Sequence, residues 1–326
     1  MDKVGFGVIG TGFWGRNHSR VLAELSNTHL VAVCDIDCSR AQEVARRHGA
    51  EWYTDSEKLL ARADIEAVSI CTPTTTHASV SLAALARGKH LLIEKPIADN
   101  VESARKIFEA SRGRDLRVMT GFIERFNPGL RRLKNLIEQG VLGEVVLAFA
   151  RRVGRWPERI GDVGVVKDSA IHDLDLMRYL FNEEPLSIYA RAGSLGHIYE
   201  DYAEIMLKFS GIRTGFVEAN WLTPRKVRTL TVTGKEAIAV MDFITQEIVV
   251  ENADETFTKK HEWAEPLKAE LAHFASRIQE GKEPDVTAYD GLRALEICEA
   301  VLVSAHSGAA FVPGRAAEAS SDPYLP

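Results

Sequence analysis

Residues 4–18 read VGFGVIGTGFWGRNH, and the fold turns on how this stretch is interpreted. An apolar run from Val4 to Ile9 has strand character. Gly10-Thr11-Gly12-Phe13-Trp14-Gly15 then fits G-x-G-x-x-G, and RNHSRVLAELS (16–26) continues as an amphipathic helix. Alone the pattern is weak, because glycine-rich turns are common. Between a strand and a helix it has a mechanism. The first Gly permits a tight turn, the second lets backbone approach a pyrophosphate, and the third allows close helix–strand packing. The helix N-terminus then favours the phosphate charge. An acidic residue is expected ~20 residues on, at the end of the second strand. VAVCDID (31–37) supplies Asp35 there. A carboxylate accepts hydrogen bonds from a ribose diol and repels a 2′-phosphate, so the expected cofactor is NAD rather than NADP. A plain helix cap is the bland alternative for Asp35.

Outward from this loop, apolar runs at 30–35, 67–72, 90–95 and 116–121 alternate with amphipathic stretches such as SRAQEVARRHG (39–49) and THASVSLAALARG (76–88). Such alternation predicts a doubly wound parallel sheet, an α/β Rossmann domain over 1–121. The pattern changes after Gly121. NPGLRRLKNLIEQG (127–140) reads as a helix from Pro128. Strand-like runs at 143–153, 204–209, 214–221, 227–234, 236–243 and 246–254 then follow without regular crossovers. With helices near 168–181, 266–280 and 287–307, they predict a second, α+β domain over 122–312 with an open-faced, mostly antiparallel sheet. Residues 313–326 read as a loosely ordered tail.

Composition fits two soluble domains: 326 residues, 45% hydrophobic and 26% charged. No run of ~18 apolar residues suits a transmembrane helix. The N-terminus enters a strand without signal-peptide features, so the cytoplasm is the expected compartment. Four scattered cysteines read as thiols rather than a disulfide framework or a zinc site. A net charge of −6 argues against nucleic-acid binding, although a local basic patch could serve an anionic small molecule.

Two further loops leave C-terminal strand ends, where open α/β sheets bind ligands. They are Cys71-Thr72-Pro73-Thr74-Thr75-Thr76-His77 and Glu94-Lys95-Pro96. Thr72, Pro73, Thr75, His77, Glu94 and Lys95 are the candidates at the cofactor edge. The stretch DSAIHDLDLMRYL (168–180) poses a separate question. On a helix, Asp168, His172, Asp175 and Tyr179 fall within roughly 60° of arc, opposite Leu176, Met177, Leu180 and Phe181. A solvated face, a metal site and an acid/base constellation compete for this stripe.

GVIGTGFWGRNH (7–18), TPTTTH (72–77), EKP (94–96) and D-x-x-x-H-x-x-D (Asp168, His172, Asp175) together resemble the Gfo/Idh/MocA oxidoreductases over nearly the whole chain. The resemblance implies hydride transfer between a nicotinamide and a sugar or cyclitol carbon. A narrower resemblance is to UDP-N-acetylglucosamine 3-dehydrogenases. It rests on GFIERFNP (121–128), RRVGRWPERIGDVGVV (151–166), IHDLDLMRYL (171–180) and NWLTPRKVRTLTVTG (220–234). DVGVVKDS replaces the family's usual glycine run before the Asp, Ser169 stands where Leu is expected, and Lys167 is an unusual neighbour.

With that context the stripe reads as an acid/base site, and no metal is expected. His172, with an unperturbed pKa of ~6.5, suits removal of a hydroxyl proton, with Lys95 as the alternative base. Asp168 orients the imidazole, Lys95 hydrogen-bonds the reacting oxygen, and Asp175 holds another sugar hydroxyl. Arg152, Arg155 and Arg159 around Trp156, with Arg125, suit a diphosphate and a stacked base. The expected reaction is NAD-dependent oxidation of the C3 hydroxyl of a UDP-N-acetylhexosamine. Another NDP-sugar, a neutral sugar or myo-inositol is the alternative substrate, and a non-catalytic NAD(H)-binding redox sensor the alternative of another class. A homodimer or homotetramer is expected through the open sheet face.

Overall fold

The computed structural model describes residues 3–157, 163–259 and 262–313. It contains two compact units: the chain up to Ile123 with Glu265–Arg293, and Glu124–Ala264 with the chain from Ala294 onward.

The first unit holds a parallel six-stranded sheet. Its strands are β1 (Val4–Ile9), β2 (Thr28–Cys34), β3 (Glu51–Tyr53), β4 (Ala67–Ile70), β5 (His90–Glu94) and β6 (Val118–Gly121), in spatial order β3-β2-β1-β4-β5-β6. Helices α1 (Phe13–Glu24), α2 (Cys38–His48), α3 (Ser56–Leu60), α4 (His77–Ala86) and α5 (Val101–Ser111) lie between the strands. This is the doubly wound fold expected from the glycine loop. The strand order reverses between β1 and β4, which places the switch point at the ends of those strands. β1 is buried along its length, as the apolar run requires. Asp37 caps α2 by accepting from the Ser39 and Arg40 amides, and Gly49, at φ +69°, closes it in a left-handed turn.

The second unit holds an eight-stranded sheet. Its strands are β7 (Val145–Arg155), β8 (Ser187–Gly193), β9 (Tyr202–Lys208), β10 (Thr214–Asn220), β11 (Leu222–Gly234), β12 (Ala237–Asp242), β13 (Ile248–Asn252) and β14 (Thr256–Lys259). Their order is β14-β13-β12-β11-β7-β10-β9-β8, and among the described pairs only β7 with β10 is parallel. Helices α6 (Pro128–Glu138) and α7 (Ile171–Phe181) belong to this unit. One face of the sheet is covered: Ala148, Ala150, Leu207, Leu230 and Val232 are buried. On the other, Tyr189, Met206, Phe216, Phe149, Thr231, Val240 and Val249 pair in register across seven strands. All of that row except Thr231 are exposed large hydrophobic residues. The alternation in 227–234 holds, with Leu230 and Val232 inward and Thr229, Thr231 and Thr233 half-exposed.

Helix α8 (Pro266–Glu280), expected with the second domain, groups with the first unit. Phe274 meets Phe6 of β1 edge to face at 6.1 Å between centroids, and Asn27 donates to the Ala272 carbonyl. The division falls inside α9 (Ala288–Ser307). Of the expected tail, residues 314–326 lie outside the described residues. Among the described residues, no helix is long and apolar enough to cross a membrane.

Candidate active site

Each glycine of the loop answers a separate demand. Gly10 has φ +90°, and a Cβ there would lie 2.6 Å from the Cys71 carbonyl. A Cβ at Gly15 would lie 1.8 Å from the Gly10 oxygen, so α1 could not pack against the turn. At Gly12 a Cβ would meet no protein atom within 4 Å. Packing of the chain on itself does not demand glycine there, whereas close approach of a pyrophosphate does. Helix α1 starts with no side-chain cap and no acidic residue in its first turn, which leaves its amides suited to an anion. The residues present therefore fit a dinucleotide. Phe13 is 61% exposed and meets Trp14 edge to face, 5.5 Å between centroids. The Trp14 Nε1 is buried with no hydrogen-bond partner among the described residues.

Asp35 sits at the end of β2 as expected, but with more partners than a ribose contact alone requires. Its Oδ2 accepts from the Thr11 amide at 2.8 Å and the Thr11 hydroxyl at 2.9 Å. Its Oδ1 accepts from the Asp37 amide at 2.9 Å and Arg40 Nη2 at 3.0 Å. Burial pushes its carboxyl up; the Asp37 and Thr11 hydrogen bonds and Arg40 outweigh it and hold the group below the usual carboxylate range. Asp35 thus ties the glycine loop to the second strand.

The other two loops are also braced. Thr74–Thr76 forms a 3₁₀ turn in which the Thr76 hydroxyl donates within 2.8 Å of Thr72 Oγ1 and the Pro73 carbonyl; Pro73 and Thr75 are exposed. His77, expected at the cofactor, is buried, with Nε2 2.9 Å from the Thr72 carbonyl and Nδ1 2.9 Å from the Pro96 carbonyl. It joins the two loops. Glu94, also expected at the cofactor, lies 2.9 Å from His18 Nε2 and accepts from the Lys95 amide at 3.2 Å. Lys95 is buried and begins the turn after β5 through a cis bond to Pro96.

In the second unit the 168–181 stretch is helical, but Val166–Ala170 is wound as a π turn before α7 begins. Asp168 is buried, and His172 and Tyr179 are half-buried. The Ser169 hydroxyl donates to Asp168 Oδ2 at 3.2 Å and accepts from Trp221 Nε1 at 3.2 Å.

Two expected substrate contacts find each other instead. Asp175 accepts from Arg125 Nε at 2.7 Å and Nη2 at 2.5 Å, and from Arg178 at 3.3 Å. Arg125 also lies 5.1 Å over the Tyr179 ring. Arg152 requires a second correction. It is 5% exposed, donates to Asp173 at 2.7 and 3.0 Å and to Glu124 at 2.9 Å, and sits 5.3 Å from the Phe243 ring. Burial opposes its charge, but Asp173 and Glu124 prevail and keep it protonated. Its guanidinium fork is filled by interior carboxylates rather than turned to a diphosphate.

Arg155 is exposed and donates to the Pro224 carbonyl at 3.1 Å. Trp156 stacks on His197 at 3.5 Å and 26°, and meets Trp221 edge to face at 4.3 Å. Arg159 lies outside the described residues. His18, Asp173, Glu124 and His197 were not singled out from sequence. Asp173 carried a signal, since a helical wheel places it between Leu176 and Met177 on the apolar arc. Among the described residues no group of His, Cys, Asp and Glu is arranged to hold a metal ion.

Two family models match the chain. One, described as "Oxidoreductase family, NAD-binding Rossmann fold", covers residues 4–122, and the other, "GFO/IDH/MocA C-terminal domain", covers 130–240. The chain belongs to the Gfo/Idh/MocA oxidoreductases. Within that family it is 31% identical over 323 residues to the inositol 2-dehydrogenase of Rubrobacter xylanophilus, with 94% of this chain and 92% of the relative covered. Among solved structures, levoglucosan dehydrogenase in complex with NADH and levoglucosan superposes with a TM-score of 0.90 at 23% identity, covering 96% of this chain and 100% of the other. That likeness is one of fold. The UDP-N-acetylglucosamine 3-dehydrogenase GnnA from Acidithiobacillus ferrooxidans gives a TM-score of 0.87 at 27% identity, covering 94% and 99%. Family membership and the glycine cradle make this protein an NAD-dependent oxidoreductase acting on CH–OH groups.

Proposed function

We propose that the protein oxidises a ring hydroxyl of a nucleotide sugar, with the C3 hydroxyl of a UDP-N-acetylhexosamine as the substrate position. The observation that carries this reading is the aromatic group of Trp156, His197 and Trp221 beside exposed Arg155, linked through Ser169 to Asp168. Planar rings and a guanidinium suit a base and a diphosphate, whereas a free cyclitol uses neither. Similarity to GnnA points the same way.

In this reading His172 removes the hydroxyl proton. Asp168, four residues earlier, orients the imidazole and stabilises its charged form. Lys95 donates a hydrogen bond to the same oxygen and stabilises the negative charge that develops there. Gly10, Gly12 and Gly15 with the start of α1 would hold NAD, which would supply the hydride acceptor. Arg125, Asp175 and Arg152 support the helix that carries His172.

A second reading, oxidation of inositol, is favoured by the 31% identity to an inositol 2-dehydrogenase and by the commitment of Arg152 to the interior. NADH formation by the purified protein across UDP-N-acetylhexosamines, other NDP-sugars, free sugars and myo-inositol separates the two. Turnover of inositol with none for any UDP-sugar would overturn the nucleotide-sugar proposal. NADH binding without turnover anywhere on the panel would instead support the redox sensor.

A further inference from the structure

Four elements of the first unit converge on one carboxylate. His18, in α1 just after the glycine loop, is fully buried. Its Nε2 lies 2.9 Å from Glu94 Oε1, at the end of β5, and its Nδ1 lies 2.7 Å from Ser69 Oγ in β4. Ser69 Oγ is in turn 3.5 Å from Cys71 Sγ. The other oxygen of Glu94 accepts the Lys95 amide at 3.2 Å. From β6, a Cβ at Gly121 would come within 3.3 Å of Glu94 Cδ, so glycine leaves the carboxylate its room. A carboxylate in so dry a place needs a cationic partner, and an imidazolium can donate from both nitrogens, to Glu94 and to Ser69.

We infer that His18 is a positioning residue: as an imidazolium it fixes Glu94, and Glu94 fixes the backbone at Lys95, so that the phosphate-binding helix and the reacting lysine form one rigid assembly. The inference rests on the reading of Lys95 as the group at the substrate oxygen. Burial opposes charge on His18, but Cys71 and Glu94, the titratable groups facing it, outweigh burial and hold its pKa well above the usual value. A group raised in this way lends its full stabilisation below the unfolded pKa of ~6.5 and loses it as pH rises through the folded value. The clamp therefore holds at neutral pH and releases on the alkaline side. Displacement of a reacting group by about 1 Å costs on the order of 10²-fold in rate, which sets the scale of the effect.

The test uses the full-length enzyme with His18→Gln, the near-isosteric Glu94→Gln, and Lys95→Ala. Imidazole ¹⁵N shifts of wild type at pH ~7.5, a unit above an unperturbed histidine, should show His18 charged with and without NADH, and neutral in Glu94→Gln. Both glutamine variants should lose about 10- to 100-fold in kcat, with substrate KM and NADH affinity little changed. A neutral His18 in wild type overturns the inference even if His18→Gln does not fold. So does wild-type kcat in either glutamine variant while Lys95→Ala is inactive. Wild-type turnover in Lys95→Ala overturns the lysine reading itself, and with it the positioning role.

Discussion

Replacing Arg152 with methionine separates an interior role from a ligand-binding one. Methionine keeps much of the stem's volume and removes the guanidinium. Left behind are Asp173, 1% exposed, and Glu124, which together lose donors at 2.7, 3.0 and 2.9 Å. Arg228, 3.7 Å from Glu124, offsets only part of that charge. Taking one partner from a buried pair costs about 3–5 kcal/mol. Against a total stability of roughly 5–15 kcal/mol, that is a large share. The melting temperature of the second unit should fall by on the order of 10 °C. The cost should shrink in acid, because an uncompensated buried carboxylate escapes by protonation. Adding Asp173→Leu should restore part of the loss, since an apolar pair of similar volume can replace a buried ion pair. Calorimetry reads the stability and steady-state kinetics read KM on the best UDP-sugar. A variant that melts with wild type yet binds substrate far more weakly would return Arg152 to the diphosphate and refute this argument.

Four further outcomes are expected. Asp35→Ser should narrow the preference for NAD over NADP, but also lower efficiency with both, because the buried Thr11 amide loses an acceptor worth about 1–3 kcal/mol; unchanged discrimination would remove the carboxylate from ribose recognition. Since its pKa is depressed, the stabilisation by Asp35 is present above the unfolded value of ~3.9 and is lost as pH falls through the folded one, which an acid melt of wild type against Asp35→Ser can follow. His172→Asn should cut kcat by ~10²–10⁴-fold with normal NADH binding and abolish the activity limb below neutrality; persistence of that limb would make Lys95 the base. The open sheet face is proposed to close against a second copy, so Phe216→Glu, which puts a charge beside Phe149 and Met206 in the apolar row, should shift a dimer or tetramer toward monomer in light scattering. A monomeric wild type would rule this out.

The first sheet was legible because its signals are local: apolar runs, terminal glycines, and a glycine loop in which each position has its own steric reason. The open sheet was legible through alternation, as in 227–234, but its edge strand β14, with four residues, is too short for a period to show, as is β3, with three, at the edge of the first sheet. The partners of the candidate site residues were less legible. Arg152 is in phase with buried Ala148 and Ala150 on β7, and Asp173 falls on the apolar arc of α7. Those two phases, read together, predict an inward ion pair; the reading by charge clustering grouped Arg152 with its sequence neighbours instead. Arg125 and Asp175 are 50 residues apart, and nothing in a linear pattern joins them. His77 and Glu94 were placed near the cofactor by motif; His77 bonds to the carbonyls of Thr72 and Pro96, and Glu94 lies against His18.

The departures from the family pattern before α7 become intelligible as one local arrangement. The glycine run is absent, and Gly164 lies close against Glu200: a Cβ there would stand 2.1 Å from the Glu200 carboxyl carbon, so that side chain would have to shift. Glu200 uses that closeness to serve the helix start, its carbonyl accepting from the Val165 amide at 2.9 Å and its Oε1 from Val166 at 3.2 Å. Lys167, unusual beside the Asp, reaches Glu299 of α9 at 2.6 Å. Ser169, where leucine is expected, is the atom-level link between Trp221 and Asp168, a role no aliphatic side chain could fill. Lys167 and Ser169 are therefore tied to different partners, and Asp168 lies between them in the π turn. The carboxylate proposed to orient His172 is thus held within the segment where the chain departs from the family pattern.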